Sequence, residues 1–90
     1  MAVVNFTANL RRHVQCPRTE AEGTTVHEVL EDVFSRFPFL RGYVVDEHGA
    51  LRKHMAVFLD GIAVRDRRRL SDPVPGPGSE IHVIQALSGG

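Results

Sequence analysis

The sequence has little cysteine and no long apolar run. These two shortages limit the compartments in which the protein can function and its association with membranes. Cys16 is the only cysteine among 90 residues, so no intrachain disulfide can form. A lone thiol fits a reducing compartment and predicts a cytoplasmic protein. No apolar run approaches the roughly 20 residues of a transmembrane helix, and no signal peptide is recognisable after Met1. We therefore expect no membrane partner.

The sequence also lacks an excess of charge of either sign. Eleven basic residues balance eleven acidic ones, so nothing favours nucleic acid or an anionic membrane as a partner. One local exception is a basic loop, in which Arg65 and three arginines at 67–69 flank Asp66. This loop is either a solvated connection or a docking site for an acidic partner surface. No aromatic residue interleaves with the arginines, which argues again against nucleic acid.

Side chains that could catalyse a reaction or bind a metal form no recognised pattern. The spacings of the five histidines match no metal-binding motif; they are His13, His27, His48, His54 and His82. Cys16 has no predicted base beside it, and Ser71-Asp72 does not make a catalytic triad with a histidine. We expect no metal site, no bound cofactor and no catalytic residue of the chain's own.

One amphipathic helix is predicted after residue 24. Thr25-Val26-His27-Glu28 is a capping box, in which the Thr25 hydroxyl accepts from the Glu28 N–H and the Glu28 carboxylate reaches back to the Thr25 N–H. Apolar residues then recur at helical spacing and form one stripe: Val26, Val29, Leu30, Val33, Phe34 and Phe37. Pro38 ends the helix, because the residue before proline disfavours the helical conformation.

Alternating apolar residues predict strands on both sides of this helix. The predicted strands are Ala2–Ala8, Arg12–Cys16, Met55–Leu59, Ile62–Val64 and Glu80–Ala86. Asp60-Gly61 between two apolar runs is a strong hairpin signal. The remaining segments are predicted to be loops or connectors: residues 17–24, Phe39–Gly42, a small hairpin or loop at Asp46–Gly49, and an irregular loop at Ser71–Ser79.

The predicted order is β-β-α-β-β-β. One helix can cover one face of one sheet, which gives a two-layer α+β domain spanning residues 1–88. Parallel pairing of the first and last strands at the centre would bury both of them. This arrangement is the β-grasp, a mixed sheet with one main helix.

The last strand leads directly to Ser88-Gly89-Gly90. Glycine has no side chain, so Gly89 and Gly90 form a slim tail that could enter a narrow channel and present the terminal carboxylate to another protein. The alternative is a terminal segment without a function.

With this element order and tail, the chain resembles the ubiquitin-like proteins, and more narrowly the sulfur carriers of the MoaD/ThiS family. The resemblance covers nearly the whole chain. It is carried by Val4–Arg11, by Thr25-Val26 with Phe37-Pro38, by Val57–Gly61, by Leu70–Ile81 and by Ser88-Gly89-Gly90.

The resemblance implies a mechanism. An E1-like adenylating enzyme would consume ATP to activate the Gly90 carboxylate, and a sulfur donor would convert it to a thiocarboxylate. The sulfur would then pass to a sulfur-accepting biosynthetic enzyme, in the synthesis of cysteine or another sulfur-containing metabolite. The family also contains small subunits of molybdopterin synthase, which is the alternative role.

A candidate partner-binding surface follows from strand alternation. If the helix covers Val4, Phe6, Val57, Leu59, Ile81 and Val83, then Phe58, His82 and Ile84 point to the opposite face. Thr7 and Ala86 would border this patch. It is either an open surface for a partner or a surface partly covered by residues 43–54. A β-grasp adaptor that binds through this face, with an unused tail, is a further alternative.

Overall fold

Two strands that are far apart in the sequence lie side by side and parallel in the middle of a sheet. The computed structural model describes residues 1–6 and 18–85. Within them the sheet order is β2-β1-β5-β3-β4, with strands β1 (Ala2–Phe6), β2 (Thr19–Ala21), β3 (Met55–Leu59), β4 (Ile62–Ala63) and β5 (Glu80–Gln85). β1 and β5 are parallel, and the other pairings are antiparallel. The predicted β-grasp, a two-layer α+β fold, is confirmed.

Helix α1 (Val26–Arg36) covers one face of the sheet, as predicted. Its apolar stripe packs on the inward-facing side chains of the central strands, and nearly all of the predicted core residues are buried. Two predicted members are only partly buried: Leu59 near the edge of the sheet, and Phe37, which follows the helix as its C-cap. The stripe buries enough apolar surface to make this interface the main core of the domain.

The cap of α1 differs from the predicted capping box in one bond. The Thr25 hydroxyl accepts from the Glu28 N–H at 3.2 Å, as predicted. The Glu28 carboxylate, however, accepts from the N–H and the hydroxyl of Thr24, at 2.7 and 2.9 Å, and not from the Thr25 N–H. These bonds from Thr24, led by its backbone N–H, lower the pKa of Glu28.

The β3-β4 hairpin is confirmed. Asp60 and Gly61 have φ angles of 49° and 86°, the positive pair that a two-residue type I′ turn requires. Asp60 also ties this turn to β5, because its Oδ1 accepts from the Glu80 N–H at 2.8 Å. β4 ends at Ala63, one residue earlier than predicted.

The predicted loop at residues 17–24 is wrong, because Thr19–Ala21 forms the edge strand β2. The strand is three residues long and buries only Ala21 fully, so it carries no alternating apolar signal; short, polar edge strands are common because they resist aggregation. Arg36 of α1 secures it by donating to Thr19 Oγ1 at 3.1 Å and to the Glu20 carbonyl at 2.6 Å. The predicted strand at Arg12–Cys16 lies outside the described residues.

The predicted connector at Phe39–Gly42 is also wrong. Pro38–Leu40 forms a 3₁₀ turn that runs into a short helix, α2 (Arg41–Val44). Arg41 holds α2 against α1 through a two-pronged ion pair with Glu31, both N–O distances being 2.6 Å. Its guanidinium also lies 5.1 Å from the centre of the Phe34 ring. Because these contacts are tertiary, the local sequence did not reveal them.

Substitution of Thr25 tests how much its hydroxyl cap on α1 contributes to the stability of the protein. Replacing Thr25 by alanine removes the acceptor of the Glu28 N–H, so we expect the free energy of unfolding to fall by about 1 kcal/mol. Urea denaturation measures this. Thr25→Ser keeps the hydroxyl and should retain most of the stability; an equal loss in both variants would show that the cap is not the cause.

Candidate partner-binding face and tail

The sheet face opposite α1 carries the three described residues of the predicted patch, and the structure brings them together. Phe58 on β3 lies directly across from His82 on β5, and Ala56 lies across from Ile84. Because residues that are paired across strands point to the same side of the sheet, these four side chains form one surface. We call Ala56, Phe58, His82 and Ile84 the open face.

The open face is half-buried, whereas its neighbours along the same strands are fully buried. On β3 the buried Met55 and Val57 alternate with the half-buried Ala56 and Phe58, and β5 shows the same alternation of burial. The 43–54 segment sends Val44, Val45 and Leu51 into the core under α1. These core residues therefore do not cover the open face.

The strand register shows which residues border the open face on β1 and β4. Asn5 of β1 pairs with His82, and Ala63 of β4 pairs with Phe58, so one row crosses four strands. The Asn5 Nδ2 atom is buried and has no hydrogen-bond partner among the described residues. The surface thus combines apolar side chains on β3 and β5 with the imidazole of His82 and an amide on β1. Alternation along β1 already predicts that Asn5 faces away from Val4 and Phe6; the parallel register adds that it lies directly beside His82.

Strand β5 directs the chain toward its tail from the centre of the sheet. Its last described residue, Gln85, pairs with Met55 at the start of β3. Five predicted site residues lie outside the described residues, and their roles stay predictions: Thr7, Ala86, Ser88, Gly89 and Gly90. An extended chain spans at most about 3.5 Å per residue, so Gly90 is within about 20 Å of Ile84.

The basic loop is organised by two carboxylates. Asp72 accepts from the N–H groups of Arg65 and Asp66 at 2.8 and 2.9 Å. Asp66 accepts from the Ser71 hydroxyl at 2.5 Å and from the N–H groups of the two arginines that follow Arg67. The hydrogen bond from Ser71, followed by that from the Arg69 N–H, lowers the pKa of Asp66 to about 2. The loop is therefore ordered, and Asp66 has a structural role.

Metal binding and membrane insertion find no support in the described part of the chain. Within residues 1–6 and 18–85, no three histidine, aspartate or glutamate side chains are placed to hold a metal ion. Over the same ranges, no helix has the length and apolarity needed to cross a membrane. His13 and Cys16 lie outside these ranges.

A profile of the ThiS family matches residues 4–90. The chain belongs to the ThiS family. It is a ubiquitin-like sulfur carrier, and carriers of this family are substrates of E1-like enzymes rather than enzymes. A search of curated protein sequences gave no significant match.

Solved structures agree with this family over the full length of the chain. CysO of Amycolatopsis orientalis, solved in complex with BexX, is 28% identical, has a TM-score of 0.83 and is matched over 100% of both chains. SAMP1 of Haloferax volcanii is 24% identical with a TM-score of 0.77, covering 99% of this chain and 98% of that one. CysO of Mycobacterium tuberculosis is 19% identical with a TM-score of 0.81, over 97% and 100%. The similarities to SAMP1 and to the Mycobacterium tuberculosis CysO support the fold alone.

The lowered pKa of Asp66 predicts a pH dependence of stability. A folded-state pKa of about 2, below the ordinary 3.8, means that the ionised carboxylate stabilises the fold above pH 4. This stabilisation is lost as the pH falls from about 4 to about 2. We therefore expect Asp66→Asn to be less stable than the wild type at pH 7, with the difference shrinking over that interval.

Urea denaturation between pH 7 and pH 2 tests this dependence. Glu47→Gln is the matched control, because it removes an exposed carboxylate whose only described ion pair is with the neighbouring His48. A difference between Asp66→Asn and the wild type that stays constant with pH would contradict the prediction.

Proposed function

We propose that this protein carries sulfur as a thiocarboxylate on Gly90. An E1-like enzyme transfers AMP from ATP to the Gly90 carboxylate and releases pyrophosphate. A sulfur nucleophile then attacks the activated carbonyl carbon, AMP leaves, and the thiocarboxylate remains. A carboxylate needs this step because its oxygen is a poor leaving group until it is adenylated.

The observation that carries this proposal is the central position of β5. Its side chains at 81 and 83 are fully buried, so the strand that leads to the tail is fixed in the core of the domain. A partner that grips the folded domain therefore controls the starting point and direction of the tail. With no β-carbon on Gly89 or Gly90, the tail can approach an enclosed active site closely.

The open face is proposed as the surface by which the activating enzyme holds the carrier. Phe58 and Ile84 are half-buried apolar side chains on the strand pair that leads toward the tail. Covering the part of these side chains that remains exposed to water would favour binding of a partner. With Gly90 within about 20 Å, one enzyme can contact both at once.

We further propose that the sulfur acceptor belongs to the synthesis of cysteine or another sulfur-containing metabolite. The support is the end-to-end similarity to CysO of Amycolatopsis orientalis, which was solved as a complex with BexX. By analogy with a carrier that binds a partner protein, the expected second partner here is a sulfur-accepting biosynthetic enzyme.

Intact mass spectrometry tests the thiocarboxylate. Incubation with ATP, the cognate activating enzyme and sulfide should replace one oxygen of the chain by sulfur, and a variant lacking Gly89 and Gly90 should stay unchanged. Biological function should be lost with the tail. If the truncated variant keeps its function, the protein is instead a β-grasp adaptor that acts through the open face.

Identical substitutions on the two sides of the sheet test the open face. We expect Ile84→Asp to lower kcat/KM for thiocarboxylate formation about tenfold or more, mainly through KM, because a charge would be placed in the apolar contact. Ile62→Asp is the matched control: Ile62 is 72% exposed and pairs with Leu59, on the other side of the sheet.

Thermal denaturation of both variants separates binding from folding. Ile62→Asp should leave kcat/KM unchanged. Equal losses in the two variants, or no loss in a folded Ile84→Asp, would contradict the assignment of the open face.

A further inference from the structure

A second surface, separate from the open face, is concave and basic. It lies between the first turn of α1, the turn that follows α2 and the loop that precedes β5. The depression encloses about 280 Å³ and is lined by His27, His48, Gly49, Arg68 and Arg69. We call it the basic cleft. Because it is built around α1, it lies on the helix side of the sheet, opposite Phe58.

The guanidinium groups of the basic cleft are unpaired. Among residues 1–6 and 18–85, neither Arg68 nor Arg69 has an ion pair or a side-chain hydrogen bond, and both are exposed. Two neighbouring carboxylates are engaged in hydrogen bonds within their own loops and form no ion pair with these side chains. Asp66 accepts from backbone N–H groups and Ser71, and Asp46 accepts from the N–H groups of His48 and Ala50.

Three other carboxylates lie near the cleft. Those of Glu28 and Glu31 interact with His27, but Glu28 accepts from Thr24 and Glu31 pairs with Arg41. Glu47 reaches His48 Nε2 at 3.6 Å, but both side chains are more than four-fifths exposed, so water screens this contact strongly. The guanidinium groups of Arg68 and Arg69 therefore remain free to contact an anionic partner over a concave surface.

The backbone around the cleft argues against a small, compact anion. A phosphate at a helix N-terminus is held by free N–H groups of the first turn. Here those groups are already used: Val26 donates to the Asp72 carbonyl, His27 to the Leu70 carbonyl and Glu28 to the Thr25 hydroxyl. The N–H groups of the two cleft arginines are bonded to Asp66 as well.

Only long side chains are left to contact a ligand. Charges at the ends of flexible side chains over an open depression match spaced carboxylates better than a single tetrahedral anion. We propose that the basic cleft docks an acidic, carboxylate-bearing segment of a partner protein. This docking does not depend on the Gly90 chemistry, and it leaves the open face free for a second contact.

NMR titration of the labelled full chain tests the proposal, with a poly-glutamate peptide as the probe and tripolyphosphate as the compact anion. At low salt the peptide should shift the amide signals of His27, His48, Gly49, Arg68 and Arg69, and added salt should reverse the shifts. Saturable binding of tripolyphosphate at these amides, tighter than that of the peptide, would overturn the proposal, as would an absence of shifts with the peptide.

Charge-reversal variants localise the binding. An exposed ion pair contributes a factor of up to about five, so Arg68→Glu/Arg69→Glu should weaken peptide binding about tenfold or more. Arg68→Gln/Arg69→Gln, which avoids new charges, should show a smaller loss. The matched control is Arg18→Glu/Lys53→Glu, which makes the same change of net charge at two exposed residues outside the cleft. Equal weakening by this control would mean that the peptide senses only net charge, and the cleft would be rejected.

Discussion

The parallel pairing of β1 with β5 is the constraint on which the rest of the structure depends. Parallel strands cannot be joined by a tight turn, so the whole chain between Phe6 and Glu80 has to serve as their connection. That connection supplies the helix that covers the pair and the strands that extend the sheet on either side. Val4, Ile81 and Val83 become fully buried as a result. The last described strand therefore lies in the middle of the sheet, with Ile81 and Val83 anchored in the core.

The same constraint divides the molecule into two unlike sides. The main helix α1 covers one face of the sheet, and within the described residues the side chains of the opposite face stay partly accessible. The half-buried pair of Phe58 and His82 is therefore a consequence of the architecture as much as of the sequence. Short edge strands at β2 and β4 limit association through the sheet edges, which supports our proposal that partners bind the face rather than an edge.

Features with a local physical signal could be predicted from the sequence, and features that depend on tertiary contacts could not. The helical stripe, the Asp60-Gly61 turn and the alternation that separates Phe58 from Val57 all follow from spacing along the chain. Strand β2 and helix α2 do not, because they depend on contacts that Arg36 and Arg41 make with residues far away or on another element. Alternation gives the side of the sheet on which Asn5 lies, but its position beside His82 depends on the register between distant strands.

The zero net charge also does not reveal which groups the charged side chains pair with. Four aspartates place carboxylate oxygens on backbone N–H groups within loops, namely Asp46, Asp60, Asp66 and Asp72. A carboxylate held in this way stabilises a turn, and Asp66 does so without an ion pair to the arginines beside it. The formal balance of eleven basic and eleven acidic residues therefore does not mean that the charges are paired: within residues 1–6 and 18–85, Arg68 and Arg69 have no ion pair. Local charge thus depends on loop structure as well as on composition.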